Sequence, residues 1–146
     1  MEILNESPEE PKSPVEKTEG EWRETLTPAQ YHILREAGTE PPDGKEYHDF
    51  KKQGEGSYHC AGCGALLFSS AEKFDSGCGW PSFYDPVKAQ NVTTRADHSG
   101  GRVRTEVNCA ICAGHLGHVF SGEGFGTPTD LRYCINGAGL KFVPAS

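Results

Sequence analysis

The chain contains no apolar run near the ~18 residues that a membrane-spanning helix requires, which excludes a helical membrane span. Its first residues, Met1-Glu-Ile-Leu-Asn-Glu6, lack both the basic start and the apolar stretch of a secretory signal. Basic charge is in deficit as well: 14 Lys and Arg stand against 21 Asp and Glu, a net charge of −7. Nucleic-acid binding draws on clustered cations, so a phosphate backbone is not the expected partner. No internal repeat is found beyond two short cysteine motifs. What is present is a chain of 146 residues, a length that suits one domain with a real hydrophobic core. Its 18 Gly and 10 Pro predict many turns and short strands. The expectation is a compact cytoplasmic protein that binds neither nucleic acid nor membrane.

Residues 1–20 hold Glu2, Glu6, Glu9, Glu10, Glu16 and Glu19 with Pro8, Pro11 and Pro14 among them. So little apolar surface does not offset the entropy of ordering, and a disordered acidic tail is predicted, with one domain over 21–146. Thr27 to Gly38 predicts a helix: Thr27 caps it, Pro28 takes the first helical position, Gly38 stops it. Tyr31, Ile33 and Leu34 supply its apolar stripe. Thr39 to Gly44, with Pro41 and Pro42, reads as a loop. From Tyr58 onward the pattern turns to strands at Ala65–Phe68, Val103–Val107, His118–Phe120, Arg132–Asn136 and Leu140–Val143, separated by Gly-rich turns. Gly122 to Gly126 lacks the strand–loop–helix setting of a phosphate-binding loop and reads as a mobile loop. These elements predict a small helical N-terminal part packed on a mostly antiparallel β core.

Six cysteines in a reducing cytosol point to metal binding or redox catalysis before disulfides. Cys60-Ala-Gly-Cys63 and Cys109-Ala-Ile-Cys112 are two knuckles, each aiming two thiolates at one point. Together they offer the four soft ligands of a tetrahedral site for one structural zinc per chain, with iron as the chemical alternative. Four thiolates leave no open coordination position, and the knuckles stand 45 residues apart, so the metal would clip two distant hairpins together. A redox dithiol is the competing reading of each pair, but two such pairs in Gly-rich turns do not fit a thioredoxin-like strand-to-helix setting. His59 adjoins Cys60, but four Cys already complete the set.

The remaining two thiols sit in different company. Cys78 lies between Gly77 and Gly79, in Phe74-Asp-Ser-Gly-Cys-Gly-Trp-Pro-Ser-Phe83. Cys134 lies in Arg132-Tyr-Cys-Ile-Asn136, where a strand would place Arg132, Cys134 and Asn136 on one face. A guanidinium beside a thiol favours the nucleophilic thiolate, and the Asn136 amide suits a polar oxygen on a substrate. A small buried thiol is the alternative for Cys134. His115-Leu-Gly-His118 offers two imidazoles, candidate acids near neutral pH, though His115, three residues past Cys112, also fits a structural post beside the metal. His32 and His48 read as surface residues. Trp80 and Phe83 are either core aromatics or the wall of a small apolar pocket; they are counted with His118 and Asn136 as candidate substrate-binding residues.

Taken in order, Tyr58-His-Cys-Ala-Gly-Cys63, Phe74 to Phe83, Cys109-Ala-Ile-Cys112, His115-Leu-Gly-His-Val-Phe120 and Arg132 to Asn136 resemble the B-type methionine sulfoxide reductases, which return methionine-R-sulfoxide to methionine. The resemblance runs from about Trp22 to Val143. It implies a mainly β fold of two antiparallel sheets with short N-terminal helices, clipped by zinc. It implies Cys134 as nucleophile and Cys78 as resolving thiol, His115 and His118 beside the substrate oxygen, Asn136 orienting it, and Trp80 against the substrate methyl. It further implies free or protein-bound methionine-R-sulfoxide as substrate and thioredoxin as reductant. A non-catalytic zinc-binding interaction module is the alternative from another class; a generic peroxide-reducing thiol protein would leave both His and the Trp unexplained.

Overall fold

A computed structural model describes residues 14–145. Three short helices precede eight strands: α1 (Glu19–Thr25), α2 (Pro28–Glu36), α3 (Lys45–Lys52), β1 (Gly56–Cys60), β2 (Leu66–Ser69), β3 (Ser82–Phe83), β4 (Val92–Asp97), β5 (Arg104–Cys109), β6 (His115–Ser121), β7 (Leu131–Ile135) and β8 (Leu140–Pro144). The strands form two antiparallel sheets, β2-β1-β8 and β3-β7-β6-β5-β4, as expected for the mainly β class. Among the described residues no helix is long and apolar enough to cross a membrane.

Of the expected tail, residues 1–13 lie outside the described part, and residues 14–20 depart from the expectation. The Val15 amide donates to the Ile111 carbonyl at 2.7 Å, and Thr18 and Glu21 form a reciprocal cap on α1. Trp22 is then buried between the Lys17 ammonium and the Arg35 guanidinium, 4.9 and 4.6 Å from its ring. This cation–aromatic clasp draws the N-terminal segment onto the body of the molecule, so the ordered fold begins before residue 21.

Helix α2 obeys its sequence signals: Thr27 and Gln30 make a capping box, Pro28 opens the helix, and Tyr31, Ile33 and Leu34 are buried. Its stop differs from expectation. Ala37, not Gly38, takes the left-handed conformation (φ 54°), while Gly38 lies against His32, where a side chain would strike the imidazole. Helix α3 carries weaker signals and is not among the elements expected from the sequence. Gly44 precedes it without a side-chain cap, and only Tyr47 and Phe50 are buried.

Phe83 joins the two sheets. From β3 its ring stacks on Phe68 of β2 at 4.4 Å and meets Tyr58 of β1 and Phe50 of α3 edge-on, at 5.1 and 5.4 Å. It has no solvent exposure. Phe83 is therefore core, and its expected place beside Trp80 in a substrate pocket is corrected. The inter-sheet contact consumes its whole surface.

Two features of the larger sheet position the polar residues and the thiol it carries. Strand pairing sets Arg95, Glu106, His118, Cys134 and Ser82 in one row across all five strands. Directly opposed residues share a face, so this row is a continuous polar stripe. The second feature is a bulge. Val107 pairs with Gly117 but Asn108 pairs with His115, which leaves Leu116 as an extra residue on β6. Residues three apart on a regular strand face opposite ways; the bulge restores parity and puts His115 and His118 on one face.

Candidate functional site: a four-thiol cluster and a cysteine–histidine pocket

The two knuckles have the same backbone build. Cys60 and Cys109 end β1 and β5; each carbonyl accepts from the amide four residues on (Gly64, Ala113), and each amide donates to the carbonyl five residues on (Ala65, Gly114). The fourth residue is left-handed in both turns, Gly64 with φ 85° and Ala113 with φ 65°. This turn points both sulfurs of a knuckle the same way. All four Sγ atoms lie within 4.8 Å of one another, with Cys60–Cys112 at 3.7 Å and Cys63–Cys109 at 3.6 Å. A tetrahedron of metal–sulfur bonds of about 2.3 Å has edges of about 3.8 Å, so the sulfurs as placed fit a structural metal site. His59 is not a competing ligand: its two ring nitrogens are engaged by Gly64 O at 2.9 Å and Ser57 Oγ at 3.0 Å. Arg35 braces the cluster from outside by donating to the Cys112 carbonyl at 2.8 Å.

The other two cysteines meet elsewhere. Cys134 projects from the middle of the larger sheet, and Cys78 reaches it from the loop before β3, sulfur to sulfur at 3.8 Å. That loop depends on glycine: Gly77 and Gly79 have φ of 73° and 93°, and a side chain on Gly79 would press on Pro42 and the Asp43 amide. The Cys78 sulfur lies within 3.0 Å of the Ser76 hydroxyl and 3.4 Å of the Ser82 hydroxyl. Hydrogen bonding from Cys134, with help from these hydroxyls, pulls the Cys78 thiol from about 9 down to about 4. The same contact, together with burial, pushes the Cys134 thiol up, against the pull of Arg132. Within the pair, a hydrogen bond from Cys134 favours the thiolate on Cys78. The sequence suggests that Arg132 keeps it on Cys134; in the fold the neighbouring sulfur outweighs the guanidinium.

Glu123 holds Arg132 beside the pair, accepting from its Nε at 2.7 Å and from an amino nitrogen at 3.1 Å, while the guanidinium lies on the Phe120 ring. Glu123 belongs to the Gly122–Gly126 segment, which is pinned at several points. Gly124 donates to Asp130 Oδ1 at 3.1 Å, and Phe125 packs on Phe74 with centroids 5.4 Å apart.

A pocket opens beside Cys134, walled by Trp80, His118, Asn136, Phe120, Arg104, Thr39 and Gly117. It gathers four residues expected from the sequence: Cys134, His118, Asn136 and Trp80. Gly117 is obligatory, because any side chain there would collide with the Cys134 carbonyl. His118 stands directly across from Cys134 in the strand register and binds Asp97 Oδ2 through Nε2 at 2.8 Å. That contact holds the Asp97 carboxyl well below its usual range. His115 lies behind, 5.6 Å away ring to ring, its Nδ1 2.6 Å from Glu106 and its buried Nε2 without a hydrogen-bond partner. Glu106 also takes Arg95 Nε at 2.8 Å and Asn108 Nδ2 at 3.1 Å. Asn136 sits just past β7: its Oδ1 accepts from the Glu40 amide, and its Nδ2 donates to the Leu116 carbonyl, each at 3.0 Å. The bulge at Leu116 thus anchors Asn136 as well as aligning the histidines.

Glu40, Asp97, Arg104, Glu106, Ser76 and Ser82 are not among the residues expected from the sequence. Their roles come from partners across strands or loops, and nothing in their immediate sequence marks them; only Ser82 could have been found, from its place between Trp80 and Phe83 in the Cys78 motif.

The SelR domain matches residues 26–144. The chain is 52% identical over 132 residues to peptide methionine sulfoxide reductase B3 of Arabidopsis thaliana, covering 90% of this chain and 72% of that protein. It is 53% identical over 130 residues to peptide methionine sulfoxide reductase MsrB of Agrobacterium fabrum, covering 89% and 93%. Over 131 residues it is 56% identical to the MsrB of Bradyrhizobium diazoefficiens, covering 89% and 91%. A match over nearly all of the fold, at half identity or better, settles the relationship: the chain belongs to the B-type peptide methionine sulfoxide reductase family, the SelR-domain proteins.

Proposed function

We propose that this protein is an oxidoreductase that reduces methionine-R-sulfoxide, free or within proteins, to methionine. The observation that carries the reading is the 3.8 Å approach of two sulfurs outside the metal cluster, one of them facing a histidine across the sheet. A zinc-binding scaffold without catalysis has no use for that second pair. Trp80 offers an apolar wall for the substrate methyl, and His118, steadied by Asp97, is the imidazole placed to deliver a proton to the sulfoxide oxygen.

In this reading Cys134 gives its proton to the Cys78 thiolate as its sulfur attacks the sulfoxide sulfur. His118 supplies a proton to the oxygen, the resulting hydroxyl passes from the substrate sulfur to the Cys134 sulfur as the bond between the two sulfurs breaks, and methionine leaves with Cys134 as sulfenic acid. Cys78, now a thiol beside it, forms the sulfur–sulfur bond and releases water. The two cysteines have lost two electrons and the sulfoxide has gained them. An external dithiol of the thioredoxin class then attacks the disulfide and returns both thiols. The four-thiol cluster takes one structural zinc, which would lock the two knuckle turns together and takes no part in the chemistry.

Measuring turnover on the two sulfoxide epimers separately, with a dithiol reductant, tests the proposal. Activity confined to the R epimer and lost in Cys134→Ser is expected, while Cys78→Ser, which lacks the thiolate base but keeps the nucleophile, still releases about one methionine per chain, more slowly, and then stops because no disulfide forms. No reduction of either epimer by the native protein, or full turnover by Cys134→Ser, overturns it.

A further inference from the structure

Glu40 lies in the loop between α2 and α3 and is 7% exposed. Burying a carboxylate is costly unless its acceptor sites are filled. Here backbone amides fill them: Gly137 donates to Oε2 at 2.7 Å and Ala138 to Oε1 at 2.9 Å. Both amides belong to the turn just after Cys134 and Asn136. The main chain of Glu40 is engaged twice more. Its amide donates to Asn136 Oδ1 at 3.0 Å, and its carbonyl accepts from Trp80 Nε1 at 3.0 Å. Gly137 has no room for a side chain: a Cβ there would lie 2.6 Å from Glu46 Cβ and 3.3 Å from Glu40 Oε2. One residue, 40 positions before Trp80 and 96 before Asn136, therefore joins two walls of the Cys134 pocket to the turn behind it.

We infer that Glu40 is a positioning residue for sulfoxide reduction: its carboxylate docks the 39–43 loop on the Gly137–Ala138 amides, and the docked backbone then holds Trp80 and Asn136 in register with Cys134. The inference rests on the reading of Trp80 and Asn136 as substrate-facing groups. A side-chain carboxylate suits the two amides because it offers one oxygen to each, whereas a carboxamide would set its NH2 donor against one of them. The effect is on geometry at the reacting sulfur, where displacement by about 1 Å costs on the order of 10²-fold in rate.

The experiment compares native protein, Glu40→Gln and Trp80→Ala in single-turnover reduction of a sulfoxide peptide, alongside the rate at which a dithiol reduces the Cys78–Cys134 disulfide. A second readout is Trp80 emission and its quenching by acrylamide, on a Trp22→Phe background. For Glu40→Gln the expected result is a single-turnover rate lower by about 10- to 100-fold, disulfide reduction unchanged, and Trp80 emission shifted to the red with stronger quenching. A purely structural Glu40 would instead lower the melting temperature and leave the single-turnover rate of the folded protein within about twofold, which overturns the inference. If Trp80→Ala reacts at the native rate, the pocket reading itself falls and this inference with it. If Trp80→Ala is slow while Glu40→Gln is not, only the role of Glu40 falls. Should Glu40→Gln fail to fold, Glu40→Asp, which keeps the charge and both acceptors on a shorter arm, is judged by the same criteria.

Discussion

At the scale of single residues, the two cysteines of the pocket differ by where their shared charge sits. Cys78 is lowered to about 4, chiefly by the Cys134 thiol. Because a lowered pKa keeps the thiolate as pH falls, alkylation of Cys78 in the reduced protein should stay fast from pH 8 to pH 5 and decline only through about pH 4. Cys134→Ala removes the main donor, so the decline should move up toward the ordinary thiol range near 9; rates of iodoacetamide capture across pH, monitored by mass spectrometry, check both. A second contrast concerns two aromatics three positions apart. Trp80→Ala should lower kcat/KM on the order of 10²-fold with little change in melting temperature. Phe83→Ala should cost about 3–5 kcal/mol of stability, because it empties the junction between the sheets. Thermal melts and activity per folded molecule separate the two. The sequence brings Cys134, Cys78, His118, Asn136 and Trp80 forward because thiols, imidazoles and a Gly-flanked Trp stand out locally. It does not raise Asp97, Glu106 or Glu40, since a carboxylate acquires its meaning from a partner that the chain reaches only after pairing its strands.

At the scale of elements, α2, β5, β6, β7 and β8 are legible because capping residues or alternating apolar positions announce them. β4 is not: its Val-Thr-Thr-Arg-Ala-Asp sequence is an edge strand with four exposed residues in its middle, so it carries no inward-facing pattern. β3 is two residues long, below any periodicity. The bulge at Leu116 is invisible for another reason. Three-residue spacing of two histidines suggests opposite faces on a regular strand, and only the observed pairing corrects it. The knuckles lead to an element-scale prediction. Since β1 ends in one knuckle and β5 in the other, and these strands lie in different sheets, metal binding should be part of folding free energy. Chelation or Cys109→Ser should unfold the protein, whereas Cys134→Ser should leave about one zinc per chain; metal analysis and circular dichroism decide.

At the scale of the whole molecule, the six sulfurs differ in access. Cys60, Cys109 and Cys112 are 1%, 0% and 4% exposed, while Cys63 of the first knuckle is half-buried, as are Cys78 and Cys134. Thiolates are all open to peroxide in principle, and susceptibility tracks ionisation and exposure. A protein that reduces oxidised methionine is itself made of oxidisable groups. Burial of three of the four knuckle sulfurs shields most of the cluster from oxidant, while both sulfurs of the Cys78–Cys134 pair stay half-buried. In the proposed cycle the pair also has a way back: an oxidised Cys134 condenses with Cys78, and a dithiol reopens the bond. On that proposal, oxidation arriving at this pair is reversible, and the two thiols would serve as the enzyme's own sacrificial guard.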